Sequence, residues 1–230
     1  PALILAHTVL GPIGWTIGQW ISTIVYAGLT GPVKWLFGAI FGALYAPFVI
    51  TGLHHMTNAI DTQLVADTGG TGLWPMIALS NIAQGSAVFA YYLMNRHEER
   101  EAQVSLPATI SAYLGVTEPA LFGVNIKYVY PLVAGMIGSS IAGFLSVTFN
   151  VTANAIGIGG LPGILSIKVK YMLPFFIIML VAIAVPMVLT VFFRRINFLT
   201  KSEDEAHQEK TETAKISASE KTNEPAVGTT

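Results

Sequence analysis

YMLPFFIIMLVAIAVPMVLTVFF, residues 171–193, contains no Asp, Glu, Lys or Arg. A helix rises about 1.5 Å per residue, so a run of this length matches the roughly 30 Å hydrocarbon core of a bilayer. Arg194, Arg195 and Lys201 follow at once. Basic residues flanking a span concentrate on the cytoplasmic side, which places the carboxy-terminal end in the cytoplasm. Upstream, residues 128–167 also lack any acidic or basic side chain, and 128–149 reads as another span. Further apolar stretches cover 2–26, 33–50 and 73–94, the last punctuated by Pro75. Over all 230 residues, 53% are hydrophobic and 11% charged, with mean hydropathy +0.60. That balance lies well outside a soluble domain of this size. The expected fold is all-α: a polytopic helical membrane protein with broken helices and re-entrant hairpins.

The punctuation of these runs points to transport more than to simple anchoring. Gly115 and Pro119 interrupt 107–121, and NAIGIGGLPG (154–163) separates the last two spans. Irregular backbone at membrane depth is tolerated where it is buried in protein or lines a cavity. A dinucleotide-binding G-x-G-x-x-G frame begun at Gly157 fails, because Pro162 occupies its sixth position and no strand precedes it. Gly14 with Gly18, and Gly38 with Gly42, form small-xxx-small steps suited to close helix packing. NRHEEREAQ (95–103) is a mixed-sign cluster of the kind usually found in solvated loops. Residues 201–230 are rich in Glu, Lys, Thr and Ser and cannot bury enough apolar surface to fold, so a disordered cytoplasmic tail is expected after a membrane domain at 1–200. Pro1 stands within an apolar run, and a piece of a longer protein is expected.

Several classes are excluded or weakened. The net charge of −1 offers no basic face for nucleic acid. With no cysteine, no disulfide framework, thiolate zinc site or cysteine nucleophile arises from these residues. No metal site and no cofactor are expected. An intramembrane metallohydrolase using His54, His55 and Asp61 is a poor fit, since adjacent histidines diverge on a helix. A proton-coupled or facilitative sugar permease and a non-transporting sugar sensor stay open.

Ionisable groups inside an apolar region are costly, on the order of 2.5–3.5 kcal/mol at a helix centre on insertion scales, and so mark function. They are His54, His55, Asp61, Asp67, Glu118 and, nearer an interface, Lys127. Glu118 stands between the breaks of LGVTEPALFGVN (114–125), where a carboxylate can accept hydrogen bonds from two sugar hydroxyls. In FVITGLHHMTNAID (48–61) a helix would put His54, Asn58 and Asp61 on one face. For either histidine, ligand contact and core packing are equally open. Asn81 and Gln84, one turn apart, offer amides either to hydroxyls or to neighbouring helices, and Asn125 adds another.

TGLHHMTNAID and GVTEPALFGVN together, in this order and apolar setting, resemble the membrane domain, enzyme IIC, of the glucose-superfamily permeases of the bacterial phosphotransferase system. The resemblance covers nearly all of 2–198. Within the family, DTQLVAD, GLWPMIALSNIAQGSAV and NVTANAIGIGGLPGILSIK look most like trehalose permeases, with sucrose permeases next. The resemblance implies about ten helices plus hairpins in the whole domain, a homodimer in the bacterial cytoplasmic membrane among its lipids, and this chain as its later part. It implies sugar binding by Thr117, Glu118, His54 and His55, with Glu118 or His54 orienting a hydroxyl and accepting its proton. It further implies group translocation: a phosphorylated IIB domain, charged by upstream phosphotransferase proteins, converts the disaccharide, trehalose here, to its 6-phosphate. Asn81, Gln84 and Asn125 are assigned to the sugar site from their chemistry and position alone.

Overall fold

The computed structural model describes residues 23–199; the Gly14–Gly18 step, His7 and the tail lie outside them. Residues 23–30 are helical and lead into six longer helices. These are α1 (Lys34–Ile50), α2 (His54–Thr68), α3 (Leu73–Asn95), α4 (Glu99–Tyr113), α5 (Tyr130–Thr148) and α6 (Met172–Arg195). Between α4 and α5 run a helical turn at Glu118–Ala120, a π-turn at Leu121–Asn125 and a second helical turn at Ile126–Tyr128. Among the described residues the extended structure amounts to isolated bridges joining Thr71, Ala153 and Ile167. The chain is all-α.

The spans expected at 33–50, 73–94, 128–149 and 171–193 fall on α1, α3, α5 and α6. Tyr130–Thr148 and Val169–Arg195 are long and apolar enough to cross a membrane. Pro75 lies in the first turn of α3, where its missing N–H costs nothing, so it does not break that helix. On α6, Phe175, Ile178, Met179, Ala182, Pro186 and Thr190 face inward, while Leu173, Ile177, Leu180, Val188 and Phe192 stay exposed. An outward apolar stripe of that length on a helix of that length is the face a lipid-embedded protein presents.

Small residues set the spacing of the bundle. α1 crosses α5 antiparallel through Gly38 and Gly42 on one side and Ser139 and Gly143 on the other. A Cβ on Gly38 would stand 2.5 Å from the Gly143 carbonyl oxygen. Backbone approach this close explains the Gly38–Gly42 step read from sequence. α5 then packs on α3 and α6, with Gly135 against the Gln84 side chain and Gly138 against Pro186. α3 is buried along almost its whole length and forms the centre. Arg194 Nη1 donates to Asn95 Oδ1 at 2.7 Å, tying the ends of α6 and α3.

The cluster at 95–103 differs from the expected solvated loop. α4 begins inside it at Glu99, and Glu101 is buried. The reason is local pairing: Lys127 Nζ donates to Glu101 Oε1 at 2.9 Å and Tyr91 Oη to Glu101 Oε2 at 3.1 Å.

Candidate functional site

α1 ends at Ile50, Thr51 caps it, and Gly52, at φ +78°, turns the chain so that His54 opens α2. Thr57 Oγ1 donates to the His54 carbonyl at 2.6 Å and firms that first turn. The His55 ring lies beside the His54 ring, centroids 4.0 Å apart. On the far side of the site, α4 stops at Tyr113, and Gly115 two residues on takes a φ of +99° that suits glycine alone. A Cβ there would meet Gly159 at 2.7 Å, so the loop containing 154–160 seals directly against the break. Asn81 Nδ2 donates to the Gly115 carbonyl at 3.2 Å, and Ser111 Oγ to the Val116 carbonyl at 3.0 Å. This bracing delivers Thr117, buried, and Glu118, at the start of its helical turn, to the first residue of α2.

There the two motifs meet. His54 Nε2 lies 3.5 Å from Glu118 Oε1. The Glu118 side chain is 43% exposed and that of His54 15%, so the carboxylate remains open to a ligand while the imidazole backs it. His54 Nδ1 is buried with no hydrogen-bond partner. A carboxylate acceptor beside an imidazole able to donate or accept can bracket a hydroxyl from two sides.

The other sequence-assigned residues are placed differently. Asn81 braces the break. Gln84 and Asn125 pair with each other: Asn125 Nδ2 donates to Gln84 Oε1 at 2.6 Å, with both residues buried between α3, the π-turn and α5. Gln84 Nε2 and Asn125 Oδ1 have no partner. His54, Asn58 and Asp61 do not share one lining, since Asn58 is exposed and Asp61 fully buried. Asp61 instead accepts the Thr71 hydroxyl. Asp67 pairs with Gln63 on the outer face of α2. No group of three metal-ligating side chains occurs among the described residues.

Tyr45 was not singled out from sequence. Its buried phenol lies beside the Thr57 side chain and within the field of both Asp61 and Glu118. The available signal was that Tyr45 is the sole hydroxyl in α1; in so apolar a helix it reads as packing.

A helical bundle with lipid-facing apolar stripes, broken segments in its interior and a half-open carboxylate–imidazole pair defines an integral membrane protein of the transport class. The family model described as "Phosphotransferase system, EIIC" matches residues 2–139, and the chain belongs to that family. It is 52% identical over 192 residues to the trehalose-specific EIIBC component of Escherichia coli strain K12, covering 83% of this chain and 40% of that protein. It is 47% identical to the sucrose-specific EIIBC component of Pasteurella multocida strain Pm70 (82% of this chain, 40% of the relative). It is 43% identical to the trehalose-specific EIIBC component of Bacillus subtilis strain 168 (81% and 40%). The chain thus spans about 40% of the length of these relatives. No solved structure matches it.

Proposed function

We propose that residues 1–200 form the later part of the sugar-translocating membrane domain of a phosphotransferase permease, with 201–230 as a cytoplasmic tail, and that the permease carries trehalose inward. The observation that carries this is the approach of His54 Nε2 to Glu118 Oε1 at 3.5 Å, with Glu118 still open, in a chain of the EIIC family. Glu118 accepts sugar hydroxyls, His54 orients one of them and takes its proton, and Thr117 and His55 complete the wall. Asn81 holds the wall in place, and Gln84 and Asn125 support it from within. The whole permease, a multi-pass homodimer in the bacterial cytoplasmic membrane, phosphorylates the sugar from a IIB phosphocysteine outside this chain. A charged sugar phosphate is a poor ligand beside Glu118 and leaves toward the cytoplasm.

A second reading, sucrose, is favoured by the 47% identity to a sucrose-specific relative. Pockets lined for hydroxyls change preference with few substitutions. The test is uptake of labelled trehalose and sucrose by cells expressing the full-length parent and Glu118→Gln, with the internal product assayed for phosphate. Trehalose arriving as a phosphate ester, and lost in Glu118→Gln at equal membrane abundance, is the expected result. Entry of unmodified sugar refutes group translocation, and normal transport by Glu118→Gln refutes the site.

A further inference from the structure

α2 carries His54, yet it joins the rest of the protein through hinges on both sides. Gly52 (φ +78°) precedes it and Gly69 (φ +69°) ends it, and a Cβ built on either would meet no heavy atom within 4 Å. Unencumbered glycines in the left-handed region let a helix swing at little cost. What holds α2 is one buried stripe, Thr57, Ile60, Asp61 and Leu64, at i, i+3, i+4 and i+7. Burial of Ile60 and Leu64 is non-directional and tolerates rotation of the helix. Thr57 bonds within α2, to the His54 carbonyl, whereas Asp61 bonds to Thr71 outside it, and a directional bond to a residue beyond the helix resists its rotation.

We propose that Asp61 is a positioning residue: by accepting the Thr71 hydroxyl it fixes the rotation of α2 and so sets His54 against Glu118. This rests on the reading of His54 as a sugar-site residue. Asp61 is fully buried, and its Oδ1 takes the Thr71 hydroxyl. That hydroxyl in turn accepts the Leu73 amide, the first of α3, at 3.0 Å. Thr71 itself is pinned by paired backbone bonds to Ala153, at 3.0 and 2.8 Å. Ala153 also bridges to Ile167. Asp61 therefore reaches a fixed knot at the head of the central helix. Its Oδ2 accepts no hydrogen bond of good geometry, but the Trp74 backbone amide of α3 also acts on the carboxylate, so the polar contacts of this acid lead to the head of the central helix. His54 and Asp61 are two turns apart on one face, about 10 Å along the axis. A rotation that parts Asp61 from Thr71 carries His54 away from Glu118.

The full-length permease tests this in four variants, by uptake kinetics and by hydrogen exchange of the 54–68 peptides. Thr71→Val, which keeps shape and removes the donor, is expected to raise KM about tenfold with kcat within about twofold, and to speed exchange in 54–68 but not in α5. Thr71→Ser restores both. Asp61→Asn, which keeps an oxygen for Thr71, stays within about threefold of the parent KM, whereas Asp61→Leu behaves like Thr71→Val. Unchanged KM and exchange in Thr71→Val, or equal KM in Asp61→Asn and Asp61→Leu, would overturn the proposal. If the parent takes up neither sugar, the sugar reading fails on its own, and the exchange of 54–68 still decides whether Asp61 and Thr71 hold α2.

Discussion

His54 Nε2 lies 3.5 Å from Glu118 Oε1, although α3 and α4 intervene between them in the chain. Groups at that separation influence each other directly, so their substitutions should not act independently. His54→Gln and Glu118→Gln are each expected to raise KM for the sugar. The double variant should fall short of the product of the two effects by about fivefold, which is roughly 1 kcal/mol of coupling. Multiplicative behaviour in a double-mutant cycle would mean that the pair does not act as one site.

Gly42 lies under the Ser139 carbonyl, which an added Cβ would meet at 2.2 Å, and backbone cannot yield as a flexible side chain can. Gly42→Val should therefore force α1 from α5 at a cost of about 1–3 kcal/mol. Lower Tm in detergent and less protein in the membrane are the readouts. Gly52→Ala, where a Cβ meets open space, tests a different physics: its expected loss, about 1 kcal/mol, comes from φ +78° alone. A Gly42→Val protein as stable as the parent would show that the two helices can separate without penalty.

The sequence pattern made the bundle legible because charge-free runs and their glycine and proline punctuation respond directly to the bilayer. The spans at 33–50 and 171–193 correspond to α1 and α6 for that reason. The helix break around Glu118 was visible in Gly115 and Pro119. Partnerships were not. Nothing in the local pattern ties Asn125 to Gln84 or Asp61 to Thr71, because those bonds form only once α3 lies beside the π-turn and α2. Polar residues on a buried helix advertise that they need a partner without naming it, so the same amides fitted a sugar or each other equally well. The helical start of α4 within 95–103 was hidden similarly, since the reason for it, Lys127, lies beyond α4.

Because Gln84 and Asn125 are buried and share a hydrogen bond with each other, their removal should register as stability before it registers as sugar affinity. Asn125→Leu alone strands Gln84 Oε1 and is expected to cost about 1–3 kcal/mol. Adding Gln84→Leu should return part of that loss, since two apolar groups leave nothing unpaired. Thermal unfolding of the three variants measures it. A large rise in KM for Asn125→Leu with unchanged Tm would instead make Asn125 a direct sugar contact.

Glu101, in the first turn of α4 and outside the membrane-spanning helices, gives the fold a pH dependence of defined sign. Burial on its own would raise its carboxyl. Hydrogen bonds from Lys127 and Tyr128, the Lys127 charge and the Tyr91 hydroxyl together outweigh that and hold it down, from 4.5 to about 2. A carboxyl lower in the folded than in the unfolded state contributes stability that is complete above the unfolded value and lost as pH falls through the folded one. The contribution is therefore whole at neutral pH and declines between about 4.5 and about 2. Tm of the parent should drop across that window by more than Tm of Glu101→Gln, and the two proteins should converge at its acid end. Parallel pH profiles for the two would mean that the Glu101–Lys127 pair contributes no pH-dependent stability to the joint between α4 and the segment leading into α5.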